Sequence, residues 1–268
     1  MIPFKIEIKG IKFGKSKAQY FMDKDENAIY QGISSIKYCN NQIADELYEL
    51  SKNHYDNFVD LLSDIISKTS VDDRQLHILT TLNFFSEFGK NKYLLSIIDM
   101  YNLLGKCKTL KKDKIASLNI REEDVRKCAE KETPKQYSNV DKDKLVKLMI
   151  SGLENKPLSI KEQIVYEQEY LGNIMYKNPK APKDMYYVLE CKFYKDKTKP
   201  YLMLYNMRDG EYLKTKITSG KSFIESPFIA GNVINVKEFG ERNKMKKVGG
   251  DWIKTDEKER IVKKWDVY

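Results

Sequence analysis

A chain of 268 residues, 41% hydrophobic and 32% charged, has room for one large or two small cored domains and is not the composition of a disordered segment. Its formal charge of +9 favours an anionic partner such as nucleic acid, although Lys far outnumbers Arg and an AT-rich genome leaves the same bias. Cys39, Cys107, Cys128 and Cys191 form no C-x-x-C pair, no run approaches the roughly 18 apolar residues of a membrane span, and MIPFKIEIKG lacks an apolar signal core. Structural zinc and membrane classes are thereby set aside, and a soluble cytoplasmic protein is expected.

Along the chain, residues 1 to 27 read as an extended lead-in with the alternation Phe4, Ile6, Ile8 and a turn near Gly14. After IYQGISSIK comes the tight polar turn Tyr38-Cys39-Asn40-Asn41. Ile43, Leu47 and Leu50 then take helical spacing, with Asn40 or Asn41 as N-cap. Phe58, Leu61, Leu62 and Ile65 mark a second helix, and Leu76, Leu79 and Leu82 a third, capped by Asp72 or Asp73. A fourth carries Leu94, Leu95, Ile98 and Tyr101. Lys106 to Asp143 is polar, with KTLKKDK and Thr133-Pro134, and is expected to be a linker with short helical pieces. Helix returns at Lys144 to Leu153 and after Ser159, where Ser159 and Glu162 have capping-box spacing. It ends near Leu171-Gly172, ahead of the boundary-like KNPKAPK.

From Met185 the pattern turns to strands: MYYVLECKFY, PYLMLYNM and EYLKTKIT, then NVINVKEF and a last strand. A three-strand meander, a connection and two more strands suit a five-stranded OB-type barrel, with a β-sandwich edge or SH3-like barrel as alternatives. In the third run Leu213, Thr215 and Ile217 alternate with Tyr212, Lys214 and Lys216, so one face is apolar and the other basic with an aromatic. Such a face binds single strands, because rings stack on bases while lysines follow phosphates. The plain alternative is a solvated face of an antiparallel strand. Arg242, Lys244, Lys246 and Lys247 precede Gly249-Gly250, in the expected connection between the last two strands. Lys183 to Tyr268 holds 19 basic and 13 acidic residues, so it carries +6 of the chain's +9. Tyr186, Tyr187, Phe193, Tyr194, Tyr201 and Tyr205 are too many to face one ligand.

Catalytic constellations are not found: no phosphate-cradling glycine loop, no nucleophile elbow, and no partner for His54 or His77. Asp23 and Asp25, in DKDEN, read as a surface turn. No catalytic residue, metal ligand or cofactor is expected.

Four segments in order resemble the C-terminal region of the α subunit of bacterial DNA polymerase III, the C-family replicative polymerase. Gly32 and Ile36-Lys37 match that family's G-x-x-x-IKG-V-G segment, and YDNFVDLLSDI is similar to the family's next segment. DDRQLHILTTLNFFSEFG matches its R-x-L-x-x-L-I-x-x-G-x-F-D block, and YEQEYLGNIMY its E-x-E-x-LG-x-Y helix. The resemblance implies an α+β chain: a helix-hairpin-helix DNA-binding module at residues 28–105, a helical connector at 106–182 and an OB domain at 183–268. It implies duplex contact at the hairpin, by Lys37, Tyr38, Cys39, Asn40 and Asn41, while the basic face and cluster read above, Tyr212, Lys214, Lys216, Arg242, Lys244, Lys246 and Lys247, are the expected single-strand contacts. The palm aspartates have no counterpart, so the expected partners are duplex and single-stranded DNA, together with a catalytic polymerase subunit or other replisome protein. A stand-alone protein-binding factor, an inhibitor or host-takeover protein, is the rival. The hairpin glycines fall at Tyr38 and Asn40; Asn tolerates a left-handed backbone, whereas Tyr brings bulk, so a weakened phosphate grip is expected.

Overall fold

A computed structural model describes residues 6–105 and 108–268; Phe4 and Cys107 lie outside them. The chain divides into two units, Met1–Asn173 and Ile174–Tyr268.

The first unit opens with a three-stranded sheet of β1 (Glu7–Lys9), β2 (Phe21–Asp23) and β3 (Ala28–Tyr30), in the order β1-β3-β2, with β1 parallel to β3. Ile6 and Ile8 are exposed, and Ile11 and Phe13 enter the core instead. A single 3-10 turn, Ile33–Ser35, leads to α1 (Asn41–Leu50), α2 (Phe58–Lys68), α3 (Asp73–Thr81) and α4 (Asn91–Leu104). Asn40, Asn57 and Asp72 cap the first three of these helices, and Asp72 forms a capping box with Gln75. Every apolar residue that set the helical spacing of α1 and α2 is buried. Gly32 cannot be replaced without rearrangement: a Cβ there would lie 2.6 Å from the carbonyl oxygen of Ala18. That closeness lets the amides of Ile33 and Ser34 reach the carbonyls of Lys17 and Ala18, at 2.9 and 3.1 Å.

The polar segment expected as a linker is folded. β4 (Leu110–Lys111), α5 (Lys112–Ser117), α6 (Glu122–Cys128), β5 (Ala129–Glu132) and β6 (Gln136–Val140) form a second small sheet, β4-β6-β5, with its helices. Leu110, Ile115, Ile120, Val125, Tyr137 and Val140 join the same core as α1 to α4. These apolar residues are few but buried, and the surrounding charge hides them from a composition-based reading. α7 (Lys142–Ile150) and α8 (Ile160–Leu171) complete the unit. The Ser159–Glu162 capping box forms, and Gly172 ends α8 at φ +74, a left-handed conformation that costs glycine nothing. No helix among the described residues is long and apolar enough to cross a membrane.

The second unit contains β7 (Met185–Lys192), β8 (Tyr201–Asn206), β9 (Tyr212–Lys216), α9 (Gly220–Glu225), β10 (Val233–Val248) and β11 (Asp251–Val267). They form a five-stranded antiparallel sheet in the order β11-β10-β7-β8-β9. The sheet is not a closed ladder. Its edges meet at one parallel bridge, Ile217 to Val262, and Thr215 Oγ1 donates to the Arg260 carbonyl at 2.8 Å. Val188, Leu204, Ile234 and Val262 centre its core beneath Phe223 and Trp265. β10 pairs with β7 only over Val233–Asn235, so beyond Gly240 the last two strands run on as a two-stranded arm that turns at Gly249-Gly250.

Candidate nucleic-acid interface

The turn between the 3-10 segment and α1 is held from several sides. The Cys39 amide donates to the Ile36 carbonyl at 3.0 Å, and the Lys37 amide to the Tyr170 carbonyl at 3.0 Å. Gln75 Nε2 donates to the Tyr38 carbonyl at 3.1 Å. Tyr38 has φ +71, the left-handed conformation that a glycine takes freely and that other residues adopt at a cost of roughly 1–2 kcal/mol. Asn40 is extended, at φ −139, and its side chain accepts from the Ile43 amide at 3.1 Å. The sequence expectation is thus inverted: Asn40 has no need of a left-handed backbone, because an N-cap must be extended, and the bulky residue takes the special conformation instead.

Tyr38 is 43% exposed, and its ring carries cations. The Arg74 guanidinium lies 3.3 Å from the ring centre, and Lys37 Nζ lies 5.1 Å from it. The Lys37 ammonium, aided by the positive charge of Arg74, draws the Tyr38 hydroxyl below its ordinary pKa. Cys39 turns inward, and burial, with the nearby Asp72 charge, pushes its thiol up to about 11. It packs against the core. Asn41 is exposed, and its side-chain oxygen accepts from the Ser34 hydroxyl. Of the five expected hairpin residues, Lys37 and Tyr38 meet at the surface with Arg74, which sequence reading missed. Arg74 stands in DDRQLHIL, where it reads as an ordinary solvent-facing helix residue.

Residues 5–95 match the helix-hairpin-helix motif family. No curated protein matches the chain. The helix-hairpin-helix match spans the first small sheet, the turn at Tyr38 and the helices through the first turn of α4.

In the second unit the alternation of β9 holds: Thr215 and Ile217 are buried, while Tyr212 and Lys214 are exposed. Strand register adds two residues that the sequence left undecided. Tyr201 of β8 lies opposite Lys216, and its ring meets that of Tyr194 edge-on, with centres 5.1 Å apart. Tyr194, Tyr201 and Tyr212 are 66, 47 and 53% exposed, whereas Tyr186, Tyr187 and Tyr205 are buried. Lys216 is largely covered, its side chain only 13% exposed, since its ammonium pairs with Glu259 and sits 5.2 Å from the Tyr201 ring centre. Burial works against the Glu259 carboxylate, but hydrogen bonds from Lys216 and Arg242 outweigh it and keep its pKa below the ordinary value. Lys214, Lys195 and Lys197 make no ion pair among the described residues.

Arg242, Lys244, Lys246 and Lys247 stand on β10 itself, along the arm, and not in a connecting loop. The strand continues through them because Arg242, Lys246 and Lys247 pair in register with Glu259, Ile253 and Trp252 of β11, with Lys244 at a register shift, which apolar periodicity does not reveal. Arg242 pairs with Glu259 at 2.7 Å and Lys244 with Glu257 at 2.9 Å, so part of their charge is neutralised within the arm. Lys246 and Lys247 sit at the tip with no ion pair among the described residues. Among those residues no cluster of His, Cys, Asp or Glu has the arrangement of a metal site.

Proposed function

We propose that this chain is a non-catalytic DNA-binding part of a replicative polymerase similar to polymerase III α, with a duplex-binding module at residues 28–105 and a single-strand-binding OB-type domain at residues 183–268. Helix-hairpin-helix motifs bind nucleic acid as a class, and the match over residues 5–95 supports that general reading. The observation that carries the single-strand part is the exposed face of Tyr194, Tyr201, Tyr212 and Lys214, because rings offer stacking surfaces to any base while the ammonium follows the backbone. The OB-type reading is supported by the order of the strands. Three meandering strands, a helix and two returning strands, with the third strand's end against the fifth in parallel, follow that barrel's connectivity.

Measuring affinity for short duplex and single-stranded oligonucleotides across a salt series tests the proposal. Binding should weaken with salt by a slope of about 0.7 to 0.9 per phosphate neutralised. No binding at about 50 mM salt, or a flat response, would reject it in favour of a protein-binding factor. Exposed Met245 and Ile253 near the arm's tip would then be its natural contact. Co-purification with a catalytic polymerase polypeptide tests the replicative assignment separately.

A further inference from the structure

The hairpin turn contains a contradiction. A tyrosine occupies the one backbone conformation in the turn that favours glycine, and strain of this kind persists only where surrounding structure enforces it. What the tyrosine provides is a surface for charge. Its ring supports the Arg74 guanidinium at 3.3 Å, with Lys37 Nζ 5.1 Å from the ring centre. Arg74 projects from α3, a different element from the turn, so the ring joins two cations that sequence separates by 37 positions. Neither cation makes an ion pair among the described residues. The adjacent Asp72 side chain is occupied in its capping box, where it accepts from the Gln75 amide at 2.7 Å. Two exposed cations held in place at the tip of a turn, without a carboxylate to satisfy them, lack an anion.

We infer that Arg74, stacked on Tyr38 and flanked by Lys37, is the phosphate-binding group of this hairpin, with Tyr38 as its positioning residue. The inference rests on the proposed nucleic-acid binding and names the contact that would carry it at the hairpin. A flexible backbone that approaches a phosphate through its own amides is replaced here by a fixed ring that presents a planar guanidinium. Guanidinium suits this task because it stacks on an aromatic face and still offers paired N–H donors at its edge to phosphate oxygens. The ligand is a nucleic-acid backbone phosphate, read without regard to sequence.

The test uses the full chain and a short DNA duplex, with affinity measured across a salt series and melting temperature as a control for folding. Arg74→Ala should weaken duplex binding about three- to tenfold and reduce the magnitude of the salt slope by about 0.9, the value of one phosphate contact. Arg74→Lys should recover the slope and only part of the affinity, because ammonium restores the charge without the planar fork. Tyr38→Phe should bind like the parent, whereas Tyr38→Gly, which relieves the backbone strain and removes the ring, should fall to the level of Arg74→Ala. Tighter binding by Tyr38→Gly would overturn the inference, since the ring would then be an obstruction. So would an unchanged slope in Arg74→Ala while Lys214→Glu still weakens single-strand binding; that result leaves the broader reading intact. A parent chain that binds neither oligonucleotide would reject both.

Discussion

Glu26 is a heavily engaged carboxylate of the first small sheet. Lys9 Nζ donates to it at 2.8 Å and the Tyr30 hydroxyl at 2.6 Å, while Lys15 Nζ lies 2.9 Å away. The Lys9 hydrogen bond first, then those of Tyr30 and Lys15, lower its pKa from 4.5 to about 2. A carboxyl whose folded pKa is depressed adds stability above its unfolded pKa and loses it as pH falls toward the folded one. The parent's melting temperature should therefore drop between about pH 4.5 and pH 2 more steeply than that of Glu26→Gln, as followed by circular dichroism. Equal slopes would show that the network does not act through Glu26. In the sequence, DKDEN reads correctly as a turn, and the Asp23 side chain accepts the amides of Asp25 and Glu26 at 3.0 and 3.1 Å. The ion network was not legible, because Lys9, Lys15 and Tyr30 reach Glu26 only once β1, β2 and β3 have paired.

At the scale of elements, β9 was legible and β10 was not. Alternation in β9 follows from one buried and one exposed face, and a period of two is visible in five residues. The outer half of β10 has solvent on both sides, so no apolar period marks it, and only the cross-strand partners on β11 define it. The tyrosine face itself required register: opposing Tyr201 to Lys216 brings β8 and β9 side chains onto one surface. Tyr194→Ala or Tyr201→Ala should each cost about 1–3 kcal/mol of single-strand affinity if its ring stacks on a base. Charge reversal at Lys214 should weaken single-strand binding more than reversal at Lys37, whose proposed role lies at the duplex hairpin. Reversal at Lys216 should also disturb the fold, since it would set two acids together at Glu259. Filter binding with a short oligothymidine measures these effects, and equal losses at Lys37 and Lys214 would displace the single-strand site from this face.

The molecule as a whole comprises two cores, and the apolar residues of residues 108–140 belong to the first. A linker was expected there because Leu110, Ile115, Ile120 and Val125 are separated by charge, and because their packing partners lie far back in the chain. Tyr137 illustrates the difficulty. Its buried ring ends in a hydroxyl within hydrogen-bond distance of the Glu122 and Glu132 carboxylates, at 2.7 and 2.9 Å, a contact that neither residue announces locally. The division after Asn173 falls where α8 ends at Gly172 and before the prolines of KNPKAPK. A unit with its own core is able to fold alone. A fragment of residues 174–268 should therefore unfold cooperatively in urea, and a non-cooperative transition would mean that its core is completed by the first unit. A fragment ending at residue 105 should be unstable, because it exposes the apolar surface that the second small sheet covers.

The arm formed by β10 and β11 has a consequence for the folding search. Arg242 lies opposite Glu259, and Glu241 opposite Arg260. Sliding one strand by a single residue in either direction would set Arg242 against Lys258 or Arg260, a cation against a cation. The same alternation of charge along both outer edges discourages a second chain from adding a strand to the exposed ribbon. The charged pairs therefore act as a ruler against a one-residue slip of the arm, and as a fence around an edge that a neutral sequence would leave open.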